Sequence, residues 1–156
     1  YDQINEQGKA VALQTDGKIV VAGGVWSYSS IENMALVLRY NADGTSDRTF
    51  GAGGAAFYSR ALPEYMYANA LAVQPDGKIL STGYLNGNIL VLRYTGDGKP
   101  DLAFSEDGSG LYSSGGNAVG FGMAVQPDGN IVVAGNSSYH DHYSDFAGFL
   151  IRIAGR

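Results

Sequence analysis

The chain contains no cysteine and few charged residues, and both scarcities exclude classes of site. Without cysteine there is no disulfide framework, no thiolate metal site and no cysteine nucleophile. Charged residues make up 16% of the 156 residues, and the formal net charge is -5. Because nucleic-acid binding needs clustered Lys and Arg, which this sequence lacks, we expect no nucleic-acid partner.

Long apolar runs are also absent, whereas glycine and tyrosine are abundant. No apolar stretch reaches the roughly 20 residues of a membrane-spanning helix, so no membrane span is expected. The sequence begins at Tyr1 without a signal-peptide pattern, and we interpret it as a processed or trimmed chain that starts within a repeat. The 23 glycines and 11 tyrosines disfavour helices and are typical of short strands joined by tight turns.

A pattern of apolar strand, Asp-Gly turn and apolar strand occurs three times. The copies span 11–23, 72–83 and 124–135, and their turns are 60 and 52 residues apart, in or near the range of propeller blades. Further blocks follow each copy, at 36–44, 90–98 and 149–155, and then at 55–59 and 110–113.

Each repeat predicts four short antiparallel strands, which in the second repeat are about 68–73, 78–82, 88–94 and 109–113. The glycine of each Asp-Gly turn is expected to adopt a positive φ that closes a tight hairpin. Four-stranded units of about 50 residues in series predict β-propeller blades. The predicted fold is therefore all-β: a single domain of three four-stranded antiparallel blades, part of or assembling into a larger propeller. The blades are placed at about 1–60, 61–113 and 114–156.

Two longer motifs carry a family resemblance. One is Gln-Pro-Asp-Gly-Lys-Ile at 74–79, followed by Thr-Gly; the other is Leu-Arg-Tyr-Asn-Ala-Asp-Gly-Thr-Ser-Asp-Arg-Thr-Phe-Gly at 38–51. The second copy of the longer motif has Ser105 after its phenylalanine, where the first copy has Gly51. The third copy lacks the Asp-Gly-x-x-Asp-x-x-Phe part. With these motifs the sequence resembles the delta-60 repeat family over nearly its whole length. The resemblance implies a propeller fold in a bacterial extracellular or cell-surface protein, and it implies no catalytic residues.

Three blades are fewer than the roughly four to eight of a closed propeller ring. Neither end of the sequence has the polar pattern of a capping repeat, and the third repeat stops after its third predicted strand. We therefore expect further blades to join the chain. They would come from a larger propeller or from a second copy, which would give a six-bladed ring.

The two ends of the predicted blades differ in sequence. The Asp-Gly end repeats with little change, whereas the opposite loops vary in length and are rich in aromatic residues. Because functional residues favour variable loops on a rigid scaffold, the variable end is the predicted surface for protein or polysaccharide binding. The alternative is that these side chains only shield loop backbone and blade edges. The candidate ligand-binding residues are Trp26, Tyr28, Tyr65, Tyr67, Tyr139, His140 and His142.

Two patterns resemble metal sites. His140 and His142 have the spacing of two imidazole ligands, with Asp141 between them, although a solvated loop explains the same residues. The segment 41–47 has oxygen ligands at alternate positions, as in a calcium loop, and 95–101 repeats it. Asp side chains in such turns usually bond to their own backbone. We therefore favour structural turns and expect no cofactor, with calcium as the alternative.

Three arginines recur among the apolar residues of the third strand of each repeat: Arg39, Arg93 and Arg152. A buried arginine needs a carboxylate, and Asp47 and Asp101 follow at the next turn. These ion pairs are predicted to stabilise the blades rather than to bind a substrate.

The sequence contains no nucleophile elbow, zinc-protease motif or phosphate loop. Glu64, near Tyr65 and Tyr67, has no identifiable second acid for glycoside hydrolysis. The leading interpretation is a non-catalytic extracellular or cell-surface module that binds protein or polysaccharide, or assembles with copies of itself. The alternative is a carbohydrate-active enzyme that uses the variable loops.

Overall fold

The computed structural model describes residues 4–27, 33–60, 65–138 and 146–155. These residues form eleven β-strands in three sheets, and no helix occurs among them. The first sheet contains β1 (Ile4–Leu13), β2 (Ile19–Ser27), β3 (Met34–Tyr40) and β4 (Ala55–Tyr58). The second contains β5 (Met66–Val73), β6 (Ile79–Leu85), β7 (Asn88–Tyr94) and β8 (Ser109–Tyr112). The third contains β9 (Asn117–Val125), β10 (Ile131–Ser138) and β11 (Phe146–Ile153).

Each sheet is an antiparallel meander in which strands adjacent in sequence are hydrogen-bonded neighbours. The predicted all-β fold of propeller-type blades is confirmed, and the third blade has three strands in the described chain. β7 matches the predicted 88–94, whereas β6 runs beyond the predicted 78–82. The extension arises because the short turn at Asn86 and Gly87 lets pairing continue as far as Leu85 and Asn88. No helix of the described residues has the length and apolarity needed to cross a membrane.

The Asp-Gly hairpins have the expected geometry. In the second sheet, Gly77 N donates to Gln74 O at 2.9 Å, and Gln74 N donates to Lys78 O at 2.8 Å. Gly77 has a φ of 85°, in the left-handed region that glycine enters without steric cost. The Asp76 carboxylate accepts a hydrogen bond from Lys78 N at 3.2 Å, so the side chain also holds the turn. The same bonds recur in the other two hairpins.

Gly83 lies opposite a β-bulge in the first strand of the second sheet. The pairing of β5 with β6 shifts at Asn69, and Gly83 pairs just before the shift. A Cβ on Gly83 would lie 2.0 Å from Tyr67 O, which is too close for any side chain. Gly23 and Gly135 repeat the arrangement, with a Cβ 1.8 and 2.0 Å from a carbonyl oxygen. The glycine that ends each repeated block is therefore required by the bulge.

The three sheets stack face to face in chain order, and the described sheets do not close into a ring. Apolar side chains fill both junctions between sheets. The first junction buries Val20, Val37, Phe50, Ile79, Leu90 and Leu92. The second junction buries Leu80, Val91, Ala118, Ile131, Val133 and Ile153. Alternate residues of a strand in the second sheet therefore face opposite junctions, as the period of a β-strand requires.

Candidate functional site

The strand directions place the connections at two opposite ends of the stack. The turn end holds the three Asp-Gly hairpins and the β3–β4 and β7–β8 connections. The loop face holds the remaining connections, β2–β3, β4–β5, β6–β7, β8–β9 and β10–β11. Each end has its own chemistry.

At the turn end of the first sheet, a buried arginine is held by a carboxylate. Arg39 Nε donates to Asp47 Oδ2 at 2.8 Å, and its guanidinium lies 4.6 Å from the centroid of the Phe50 ring. Lys18 Nζ lies 3.0 Å from the same carboxylate oxygen. Asp47 Oδ1 accepts a hydrogen bond from Thr49 Oγ1 at 2.6 Å. The bonds from Thr49 and Lys18 hold the pKa of Asp47 well below its usual range, so the predicted ion pair is confirmed.

The second sheet repeats this arrangement. Arg93 Nε lies 2.7 Å from Asp101 Oδ2, and Lys78 Nζ lies 3.4 Å from the same oxygen. The guanidinium lies 4.7 Å from the centroid of the Phe104 ring. Burial raises the pKa of Asp101, but the backbone bond from Ala103 and the charges of Arg93 and Lys78 bring it below its usual value. Both acids therefore stay ionised beside a buried arginine.

The prediction of a third buried arginine is wrong. The Arg152 side chain is 55% exposed, and it pairs with Asp128 of the hairpin beneath it. Arg152 lies on the face of the third sheet that points away from the second sheet, and no described residue packs over it. Asn130 also takes the place that a lysine holds in the other two hairpins. The third repeat of this sequence has no residue at the position of Asp47 and Asp101, and Arg152 pairs with Asp128 instead.

The calcium-like turns are held together by their own hydrogen bonds. Asp43 Oδ1 accepts bonds from Thr45 N at 2.9 Å and from Thr45 Oγ1 at 2.6 Å. The bonds that Asp97 accepts from Lys99 and from the Thr95 hydroxyl lower its pKa to about 2. These contacts are those of a structural turn. In the described part of the chain, no group of three or more His, Asp or Glu side chains has an arrangement that could hold a metal ion.

An aromatic pair lies next to the loop face. Tyr67 of β5 and Tyr84 of β6 stack with ring centroids 5.5 Å apart and an interplanar angle of 21°. Lys9 Nζ lies 3.9 Å from the centroid of the Tyr67 ring and donates to Asn69 Oδ1 at 3.1 Å. Burial lowers the pKa of Lys9 and raises that of Tyr67. The sequence singled out Tyr67 but not Tyr84 or Lys9, because the contact depends on cross-strand register and on the two bulges.

Two other predicted residues lie on or beside this face. Tyr65 is 74% exposed, and its N–H donates to Asn86 Oδ1 at 3.0 Å while its carbonyl accepts from Asn86 N at 3.2 Å. Trp26 is half-buried near the end of β2. At that end β2 meets β5, since a Cβ on Gly24 would lie 3.0 Å from Tyr67 Cβ. The described part of the loop face therefore combines the exposed Tyr65 with the stacked Tyr67–Tyr84 pair, which Lys9 contacts.

The remaining predicted site residues lie outside the described residues. They are Tyr28, Tyr139, His140, His142 and, for the enzymatic alternative, Glu64. Their roles in ligand or metal binding stay predictions.

The two outer faces of the stack expose apolar side chains at positions that inner repeats cover. We call the outer face of the third sheet the leading face and that of the first sheet the trailing face. On the leading face Leu150 is 69% exposed, whereas the equivalent Val37 and Val91 are 0% exposed. On the trailing face Val11 and Leu13 are 67% and 72% exposed. Their equivalents Leu71 and Val73, and Met123 and Val125, are only partly exposed.

The fold and the repeated turn end define an open stack of β-propeller blades. The family described as "Domain of unknown function (DUF5122) beta-propeller" matches the chain over residues 14–50, 74–104 and 126–147, more than half of its length. The chain belongs to this family. The first two matched segments run from the Asp-Gly hairpin to the phenylalanine under the buried arginine, so they contain the whole ion-pair unit. A search of curated proteins gave no match.

Proposed function

We propose that the chain is a non-catalytic β-propeller module that assembles with a second copy of itself on a bacterial cell surface or outside the cell. The resemblance to delta-60 repeats supports the setting. The assembly rests on a single observation, the difference in exposure between Leu150 and the equivalent Val37 and Val91. A propeller blade normally buries this position against the next blade, as the first two sheets do here.

The trailing face is the natural counterpart of the leading face. Each inner junction joins a leading face to the trailing face of the next sheet, so a second copy can continue the same contact. Val11 and Leu13 would then be covered as Leu71 and Val73 are in the second sheet. Two copies joined head to tail at both ends give six blades related by a two-fold axis, and this number closes a propeller ring.

Light scattering coupled to size exclusion tests this assembly. The wild-type chain should have about twice the 16.4 kDa of one chain. Leu150→Arg places a charge in the new junction and should reduce the mass to that of one chain. Leu102→Arg is the matched control: Leu102 is 70% exposed outside the two faces, and the first repeat has Arg48 at this position. A wild-type mass of 16.4 kDa at all concentrations, or equal effects of both variants, would contradict the proposal.

A second role, binding of protein or polysaccharide at the loop face, is favoured by the projecting Tyr65 beside the Tyr67–Tyr84 stack. Flat aromatic rings with polar edges give large contact areas with little loss of side-chain entropy. A glycan array should show binding that Tyr65→Ala removes and Phe57→Ala, a change of an exposed aromatic residue on β4, retains. A parallel hydrolysis screen separates the roles, since turnover of a bound glycan would favour the carbohydrate-active enzyme.

A further inference from the structure

A row of hydrogen bonds crosses the first strands of the three sheets at their β-bulges. The bulges place Lys9, Asn69 and Phe121 at equivalent positions of β1, β5 and β9. Lys9 Nζ donates to Asn69 Oδ1 at 3.1 Å, and Asn69 Nδ2 donates to Gly120 O at 3.0 Å. The repeats keep the glycine opposite each bulge but change the bulged residue. Because bulges re-aim side chains and are common next to functional sites, this row is a place to look for a ligand.

Lys9 has an environment that differs from those of the other lysines. Each of the others lies within ion-pair distance of an aspartate: Lys18, Lys78 and Lys99. In the described chain Lys9 contacts an amide oxygen of Asn69 and the ring of Tyr67, whose centroid lies 3.9 Å from its Nζ. Burial lowers the pKa of Lys9, since the ammonium has lost part of its hydration. A partly desolvated ammonium without a counter-charge favours an anionic ligand.

The acidic side chains of the described residues lie mostly at the opposite end of the stack. All the described aspartates are in the Asp-Gly hairpins or in the β3–β4 and β7–β8 connections, at the turn end. Glu6 is the described acid nearest to Lys9 along β1, and no ion pair joins the two side chains. The negative charge of the described chain is therefore concentrated away from Lys9, although the net charge is -5.

Aromatic rings flank the ammonium on the side of the loop face. Tyr67 contacts Lys9 and stacks on Tyr84. Tyr65 precedes Tyr67 by two residues, and its backbone bonds to Asn86 continue the pairing of β5 with β6. Alternate residues of an extended strand share a face and lie roughly 7 Å apart, so the exposed Tyr65 ring lies on the same face as Tyr67. These contacts lie where the first and second sheets meet, and both sheets are described.

We propose that Lys9 and Tyr65 bind an acidic polysaccharide, in which a sugar carboxylate accepts a hydrogen bond from Lys9 Nζ and a sugar ring lies on Tyr65. An ammonium has three N–H donors, and Asn69 Oδ1 accepts only one of them, so Lys9 has a donor for the carboxylate. Asn69 holds the ammonium in place through its own bond to Gly120 O. A sugar suits this site better than an acidic peptide, because its apolar ring face and hydroxyl edge match an exposed tyrosine. The inference rests on the proposed binding of polysaccharide at the loop face and deepens it by naming the class of sugar.

Isothermal titration calorimetry of the full chain with a short oligomer of galacturonic acid tests the site. We expect saturable binding at low salt, where charges are least screened. The methyl ester of the same oligomer keeps its shape and removes its charges, so it should bind about ten- to hundredfold more weakly. This comparison uses the wild-type chain and therefore does not depend on the folding of a variant.

Two lysine variants test which ammonium binds the carboxylate. Lys9→Met keeps the apolar part of the side chain, and it should weaken binding of the acid to about that of the ester. Lys99→Met is the matched control, since Lys99 is exposed at the turn end and pairs with Asp97. The control should leave the affinity unchanged. Tyr65→Ala should weaken binding of the acid and of the ester by the same factor, because the ring contact does not depend on the charge.

Three results would overturn the inference: no saturable binding of the acid, equal affinity for the acid and its ester, or equal losses from Lys9→Met and Lys99→Met. An oligomer of glutamate bound as tightly as the oligomer of galacturonic acid would overturn the choice of a sugar. A neutral glycan that binds on the array and is lost in Tyr65→Ala, with no preference for the acid, would remove this inference and leave the proposed binding at the loop face. Absence of binding to any glycan would remove both.

Discussion

Removal of the Asp101 carboxylate should expose how strongly the turn end depends on its buried ion pair. Asp101→Asn keeps the size of the side chain but leaves the Arg93 guanidinium, which is 0% exposed, without its counter-charge. Breaking a buried pair by removing one partner costs about 3–5 kcal/mol. For a chain of this size the loss corresponds to a fall in Tm of roughly 6–20 °C.

The substitution of the partner, Arg93→Leu, should reduce the free energy of unfolding by less. The order of the two losses is therefore the sharper test. In Arg93→Leu the Asp101 carboxylate still has Lys78 Nζ at 3.4 Å and Ala103 N at 3.1 Å, so no charge is left buried without a partner. A leucine at position 93 also suits its surroundings, because Val91 on the same face of β7 is buried among apolar side chains. We expect Arg93→Leu to cost about 1–2 kcal/mol, mainly from lost contact with the Phe104 ring.

Urea unfolding followed by circular dichroism measures both changes, with the slope of the transition checked against the wild type. Asp128→Asn is the control, because it breaks the exposed pair with Arg152 and should cost less than about 1 kcal/mol. The reasoning is refuted if Asp101→Asn costs no more than Asp128→Asn, or if Arg93→Leu is the more damaging of the two changes at the buried pair.

Three further outcomes follow from the same contacts. The pKa values of Asp47 and Asp101 are lower in the fold than the roughly 3.9 of an unfolded chain, so the unfolded state binds more protons and stability should fall as the pH drops below about 4. Urea unfolding from pH 7 to pH 2 measures this loss. If Asp101→Asn leaves the slope of stability against pH unchanged, the result counts against the prediction. Gly83→Ala should reduce the free energy of unfolding, measured by thermal unfolding, by about 2 kcal/mol or more, because its Cβ would lie 2.0 Å from Tyr67 O. Gly122→Ala, with open space around the Cβ, should reduce it by under about 1 kcal/mol. Equal losses in the two variants would disprove the role of the bulge. A double-mutant cycle of Tyr67→Leu and Tyr84→Leu should give a coupling energy of about 0.5–1.5 kcal/mol, and strictly additive losses would show that the rings do not interact.

The sequence predicted those parts of the fold that local patterns specify. An Asp-Gly turn between two apolar strands needs only its own residues to close, and Gly77 has the positive φ that the pattern implies. The Arg39–Asp47 pair was also predictable, since its partners are eight residues apart on one hairpin. The repeats made these predictions stronger because the same turn and the same ion pair occur in more than one repeat.

The parts that escaped prediction depend on what packs against a residue from another sheet. Arg152 has the sequence position of Arg39 and Arg93, but only a following sheet would bury it. Tyr84 and Lys9 meet Tyr67 through cross-strand register and bulges that leave no clear signal in one sequence.

The three arginines also restrict what can dock on the leading face. Arg39 and Arg93 are buried by the sheet that follows them, so docking on the third sheet would remove the Arg152–Asp128 pair from water. Burial of such a pair costs several kcal/mol per ion unless further hydrogen bonds complete it, as Gly96 O does for Arg39. A purely apolar partner would cover Leu150 but would leave the guanidinium without an added acceptor. The proposed partner on this face would therefore have to combine apolar side chains with a carbonyl-bearing turn, as the trailing face of a blade with its own β3–β4 turn does.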